Sequence, residues 1–179
     1  SPDGRSLALT LSSEKSPELY LLDLATREYR KLTDNNGIDV SPSWSPDSKR
    51  IAYVSDTAGN PHIHVLDLST GKSKRLTFKG KYNSSPSWSP NGSHIAFSRS
   101  DGGRFNIWTM RPDGEGLTQL TFDGDNRHPS WSPDGRYIVY SSSERGNSLR
   151  IMRSDGTGAM KLNTGIKGEK APAWSPFLK

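Results

Sequence analysis

The sequence contains no cysteine. Disulfide frameworks, thiolate zinc centres and cysteine nucleophiles are excluded, and the absence identifies no compartment. No uninterrupted apolar run approaches the roughly 18 residues that a membrane-spanning helix needs, so direct membrane insertion by a helix is not expected. Aliphatic residues are scarce. Leu, Ile, Val and Phe make up 33 of 179 residues. That is below the roughly 20% at which disorder becomes a serious reading. Disorder also calls for a large net charge, whereas the formal charge is +5, with five Trp and six Tyr. The apolar groups must therefore be few and well placed. No local catalytic motif is present either: no Gly-x-Ser-x-Gly elbow, no His-Glu-x-x-His and no P-loop, although Ser occurs 27 times. The opening Ser1-Pro2-Asp3-Gly4 is neither an initiator Met nor a signal peptide, so the expectation is a processed form or a fragment.

What the chain does contain is a repeat. Pro42-Ser43-Trp44-Ser45-Pro46-Asp47 returns as Pro86-Ser87-Trp88-Ser89-Pro90-Asn91 and Pro129-Ser130-Trp131-Ser132-Pro133-Asp134. It ends as Pro172-Ala173-Trp174-Ser175-Pro176. The Ser of each Ser-Pro stands at 1, 45, 89, 132 and 175, which divides one domain, 1–179, into repeats of approximately 1–44, 45–88, 89–131 and 132–174. Within each, short apolar runs recur, such as Ile51-Ala52-Tyr53-Val54 and Ile63-His64-Val65-Leu66, followed by Arg75-Leu76-Thr77. The runs are β-branched or aromatic, bounded by Gly, Pro, Asn and Asp, and too short for helices. Four such strands per repeat spell the blade of a β-propeller, so the expected fold class is all-β. Pro-Asp-Gly after the Trp is turn chemistry. Trp44, Trp88, Trp131 and Trp174 are expected to fill the wedges between blades as structural core, the alternative being a carbohydrate-stacking aromatic row. The terminal Pro172-Ala173-Trp174 reads as a first strand, which either completes the opening blade or belongs to a larger ring. An open ring would invite self-association through its exposed edge.

The repeats resemble those of the TolB-like propeller family of the bacterial Tol–Pal envelope system. The motif Trp131-Ser132-Pro133-Asp134-Gly135, followed by Ile138-Val139-Tyr140, carries the likeness, as does the ending Pro172-Ala173-Trp174-Ser175-Pro176-Phe177-Leu178. That family has an N-terminal α/β domain and a six-bladed propeller. The resemblance therefore implies a fragment of the propeller, without the segment that contacts TolA. It implies a periplasmic, non-enzymatic protein-binding scaffold that docks the Pal lipoprotein and other Tol proteins, with roles in envelope integrity, cell division, protein transport and bacteriocin import. The motif also occurs in propellers of prolyl-oligopeptidase-like and tricorn-like serine peptidases, so a regulatory peptidase propeller is the alternative. A sugar- or small-molecule-binding propeller is a third reading.

The loops entering each first strand, Asp34–Ser41, Gly80–Ser85, Asp123–His128 and Gly165–Lys170, form the expected binding rim. By the resemblance, the loops that face Pal, and colicin-type segments that imitate it, carry Asn36, Asp39, Tyr82, Asn83, Asn126, Arg127, His128 and Lys170. Charge along these loops is mixed, with no like-charge block, so nucleic acid is not expected despite a pI of 9.5. No metal or other cofactor is expected from the spacing. His62 and His64 share a strand face without further ligands, and Asp123-Gly124-Asp125-Asn126 reads as a turn. The resemblance allows Ca²⁺ in the propeller channel.

Overall fold

The computed structural model describes residues 1–12, 16–143, 147–165 and 171–174. Its regular structure there is all strand. The first sheet holds β1 (Ser6–Ser12), β2 (Pro17–Asp23) and β3 (Tyr29–Lys31). The second holds β4 (Asp39–Trp44), β5 (Arg50–Ser55), β6 (His62–Asp67) and β7 (Ser73–Arg75). The third holds β8 (Tyr82–Trp88), β9 (Ile95–Ser100), β10 (Asn106–Met110) and β11 (Thr118–Gln119). The fourth holds β12 (Asn126–Trp131), β13 (Tyr137–Ser142), β14 (Ser148–Arg153) and β15 (Met160–Lys161). Every pairing is antiparallel between consecutive strands, so each sheet is a meander. These are propeller blades, as the repeat predicts. The Trp strand of each repeat pairs forward into the following blade, which puts repeat and blade one strand out of step.

The core lies between blades. Along β5, Ile51 and Tyr53 face the first blade and pack with Leu19, whereas Ala52 and Val54 face the third and pack with Phe97. Strand period two thus supplies both faces of one sheet. Ala96 and Ile107 of the third blade likewise meet Ile138, Tyr140 and Met152 of the fourth. First strands carry this stacking: β4 contacts β1 and β2, β8 contacts β4, β5 and β6, and β12 contacts β8, β9 and β10. Trp88 is buried in its wedge at 6% exposure, and Trp44 and Trp131 pack at the margins of theirs.

The tight turn after each Trp gives the motif Ser its role. The Ser hydroxyl donates to the turn carboxylate or amide and accepts the backbone N–H five residues on. Ser132 Oγ reaches Asp134 Oδ1 at 2.6 Å, and Tyr137 N–H reaches Ser132 Oγ at 2.9 Å. Ser45 and Ser89 are buried and repeat the arrangement around Asp47 and Asn91. The fourth turn position is left-handed, with φ of 71°, 74° and 71° at Gly4, Gly92 and Gly135, but the second repeat has Ser48 there at 58°.

A second repeated feature bends the first strands. The residue before the motif Pro is left-handed in every unit: Ser41, Ser85 and His128 at 57°, 52° and 55°. At each of these the pairing register shifts, between Val40 and Ser43, Ser84 and Ser87, and Arg127 and Ser130. These are β-bulges, which turn a strand locally and interrupt its ladder.

The expectation of a terminal first strand is corrected. Among the described residues, 172–174 form no strand and the first sheet keeps three members. The segment nonetheless repeats the local geometry. Ala171 has φ 48°, and Trp174 Nε1 donates to Ser130 O at 3.1 Å, just as Trp131 Nε1 donates to Ser87 O at 3.1 Å. It docks on the fourth blade through this bond, and Trp174 is 38% exposed.

Phe97 is fully buried, whereas Phe78 is 73% exposed. Urea unfolding should show Phe97→Ala losing roughly 3–5 kcal/mol and Phe78→Ala within about 0.5 kcal/mol of the parent. Ser48→Gly should raise stability by up to about 1 kcal/mol, because it removes the left-handed strain of a side-chain-bearing residue.

Candidate protein-binding rim

The loops between blades are held by a polar staple that recurs with the repeat. At the start of each third strand stands a polar residue: Glu18, His62 or Asn106. Behind it stands the Thr of the Leu-Thr pair. Thr33 Oγ1 donates to Glu18 Oε2 at 2.6 Å, Thr77 Oγ1 lies 3.1 Å from His62 Nδ1, and Thr121 Oγ1 donates to Asn106 Oδ1 at 3.1 Å. Each Thr hydroxyl also accepts a strand N–H, from Leu19, Ile63 and Ile107. The third member lies five residues before the Trp. It is Asp39, Asn83 or Asn126, all buried to 2% exposure or less. Asn83 N–H bonds to Pro61 O at 2.9 Å and Asn126 N–H to Phe105 O at 2.8 Å, tying one blade to the next.

Three of the proposed rim residues therefore face inward. Asn83 Nδ2 holds the loop carbonyl of Lys79 at 3.1 Å, Asn126 Nδ2 holds that of Asp123, and Asp39 accepts from Asn35 Nδ2 at 2.7 Å. Loop position in the sequence gave no sign of this burial; the signal that carried it was their shared offset from the Trp.

Other candidates come together at the surface. Tyr82 meets the ring of Phe105 edge-on, with centroids 5.5 Å apart. The Arg127 guanidinium lies 3.9 Å over the opposite partner of that contact, the Phe105 ring. Arg127 also grips Asp125 with two bonds of 3.0 Å, and Asp125 accepts the Phe105 N–H at 3.1 Å. Four residues from three loops thus lock one another. Phe105 was not among the candidates; it sits on the loop between second and third strands, outside the segments read as the rim. His128 flanks the cluster, its N–H on Ser98 Oγ at 3.0 Å and its Nδ1 3.3 Å from Ser141 Oγ. Asp125, Arg127, His128, Ser141 and Asn147 line a cavity of about 280 Å³ beside it. Asn36 is exposed on the loop entering the second blade, away from this cluster, and Lys170 lies outside the described residues.

The rim is electrically uneven. Among the described residues, Lys79, Lys81 and Arg104, close in sequence to Tyr82 and Phe105, make no salt bridge, whereas Asp34 on the loop entering the second blade pairs with Lys31 at 2.6 Å. The Lys81 stem crosses Gly102, where an added Cβ would lie 3.1 Å from Lys81 Cδ. The Arg127 hydrogen bond holds the Asp125 carboxyl below its ordinary value against the opposing effect of burial. Burial, then Arg75, lowers His62; burial, then Arg75 and His62, lowers His64 to about 4. Among the described residues no group of three metal-ligating side chains converges, and the Asp125 carboxylate of the Asp123–Asn126 turn is engaged by Arg127.

Stacked antiparallel meanders, three of four strands and one of three, with an interlocked loop rim define a β-propeller that presents a loop surface. The chain belongs to the TolB β-propeller family, whose model, described as the TolB beta propeller domain, matches residues 1–178. TolB from Acinetobacter baumannii is similar at 36% identity and TM-score 0.89, over 99% of this chain and 45% of that one. A putative TolB from Agrobacterium tumefaciens is similar at 28% identity and TM-score 0.79, over 90% of this chain and 62% of that one. The chain thus spans less than two thirds of either relative. A puromycin-hydrolyzing peptidase from Mycobacterium tuberculosis, 15% identical with TM-score 0.72 over 90% of this chain and 27% of that one, shares the fold. No curated protein matches the sequence.

His64 is neutral in the folded chain well below the ordinary histidine value, so between that value and about 4 the unfolded chain binds more protons. Stability should therefore fall as pH drops through this window. Unfolding measured from pH 7 to 4 should show a shallower decline in His64→Phe than in the parent.

Proposed function

We propose that the chain is a non-enzymatic, periplasmic protein-binding scaffold of the Tol–Pal system that docks the Pal lipoprotein through its rim loops. Family membership supports the system, and one observation supports the site: the interlocked Tyr82–Phe105–Arg127–Asp125 cluster. Aromatic and Arg side chains on a rigid support are the residues that dominate protein interfaces. Their mutual contacts hold them in place before binding, which reduces the side-chain ordering that association costs. His128 belongs to the outer part of this surface, Asn36 extends the rim on the loop entering the second blade, and colicin-type segments compete for the same loops. Other Tol proteins bind the same assembly. The peptidase-propeller alternative rests on likeness of fold, and no feature of the rim favours it.

Titration of the folded chain against the soluble domain of Pal tests the reading. Saturable binding is expected, weakened about tenfold or more by Arg127→Glu or Tyr82→Ala, with unfolding midpoints little changed. Parent-like affinity in both variants would overturn the assignment of the site.

A further inference from the structure

The staple beneath the loop that carries Tyr82 differs from its repeats in one respect: its central residue is a histidine. The equivalent positions are Glu18 in the first blade, Asn106 in the third and Ser148 in the fourth. His62 is 3% exposed. Two donors converge on its Nδ1. Thr77 Oγ1, which accepts Ile63 N–H, lies 3.1 Å from the imidazole and keeps its hydroxyl proton free to donate to it. Asn83 Nδ2 stands 3.2 Å from the same nitrogen. Nδ1 therefore carries the lone pair, and the ring proton is on Nε2.

The Asn83 amide holds the loop from the same NH₂ group. Nδ2 donates to Lys79 O at 3.1 Å and lies 3.4 Å from Pro61 O. The other end of that amide, Oδ1, is buried with no hydrogen-bond partner among the described residues, as is Asp39 Oδ1 at the equivalent position of the second blade. An unmatched buried acceptor is a costly feature that calls for an explanation. A second arrangement supplies one. With a proton on Nδ1, His62 confronts two donors with a third. Rotation of the Asn83 amide then turns Oδ1 to accept from Nδ1–H, and Nδ2 leaves the Lys79 carbonyl.

We propose that His62 is a positioning residue for the rim: neutral, it locks the 79–81 loop through Asn83, and protonated, it releases that loop and with it the start of β8 that carries Tyr82. The two amide orientations are the two states, and the proton biases them. The charged and titratable groups acting on His62 are Arg75 on β7, whose Nε donates to Thr77 O at 2.6 Å, and His64 on its own strand. β5 presents Ser55 opposite it and β8 presents Asn83. Burial and Arg75 both oppose the cation, so the locked state is the one present at neutral pH and release comes on acidification. The consequence for partner binding rests on the rim reading above; the switch itself is a property of the chain alone.

NMR of the labelled 179-residue chain from pH 8 to 4.5 tests it. The Asn83 side-chain amide and the Lys81 and Tyr82 backbone amides are expected to shift with the same midpoint as the His62 ring. In His62→Gln, which stays neutral, that shared transition should disappear while the spectrum remains folded. In Asn83→Asp, the carboxylate accepts from imidazolium, and the His62 midpoint should rise by at least one pH unit. Rim amides that stay unchanged while His62 titrates would overturn the proposal. So would a His62 that stays neutral throughout, or a loop transition that persists in His62→Gln. If Pal fails to bind at any pH while the loop still co-titrates, the binding reading falls and the switch stands.

Discussion

A four-stranded sheet with apolar residues on both faces must be covered on both faces, and the remaining features of this molecule follow from that constraint. Ile51 and Ala52 are neighbours in sequence, yet they enter different wedges. Each blade is therefore a partner to two others, and burial of apolar area between blades supplies most of the stabilisation. Aliphatic residues can be scarce because those at the centres of the wedges are buried completely, although others such as Leu7, Leu24 and Leu117 remain exposed. Ile51, Ile63, Ile95, Ile107 and Ile138 are all fully buried. The third-blade wedges show the same economy of placement: Ala96 and Phe97 point to opposite neighbours from adjacent positions.

Stacking fixes how blades face one another but leaves the connecting loops to be held separately. The staple does this with polar groups. Thr bonds a polar third-strand residue, and the Asp or Asn from the next blade bonds loop groups beside it, at the rim where buried backbone groups need partners. Because the same residues also tie blade to blade, rim order and blade order are coupled. This gives the binding surface rigid support, and it makes the chemical identity of the central staple residue consequential. A carboxylate, an imidazole and an amide occupy equivalent positions with different responses to protons.

The blade was legible in the residues. Strand period, turn chemistry and the 43- to 44-residue spacing of Ser-Pro led directly to it, since these are local properties that hold wherever the segment sits. Trp as a wedge residue was legible for the same reason, although Trp174 is left partly exposed beyond the last paired strand. The site was legible in part. Tyr82 and Arg127 stand together at the surface, but Asp39, Asn83 and Asn126 face inward, and Phe105 between Tyr82 and Arg127 went unnoticed. A loop residue looks the same in sequence whether it points out or in.

The sequence by itself determined the family, the all-β class and the phase of the repeat, because each is written in short-range patterns of side-chain type. Tertiary structure alone decided which side of each strand meets which blade and which loop residues are buried. Those outcomes depend on contacts between segments roughly one repeat apart, such as Trp131 on Ser87. Long-range contacts of that kind follow from blade stacking, and no local pattern encodes the direction in which a loop side chain turns.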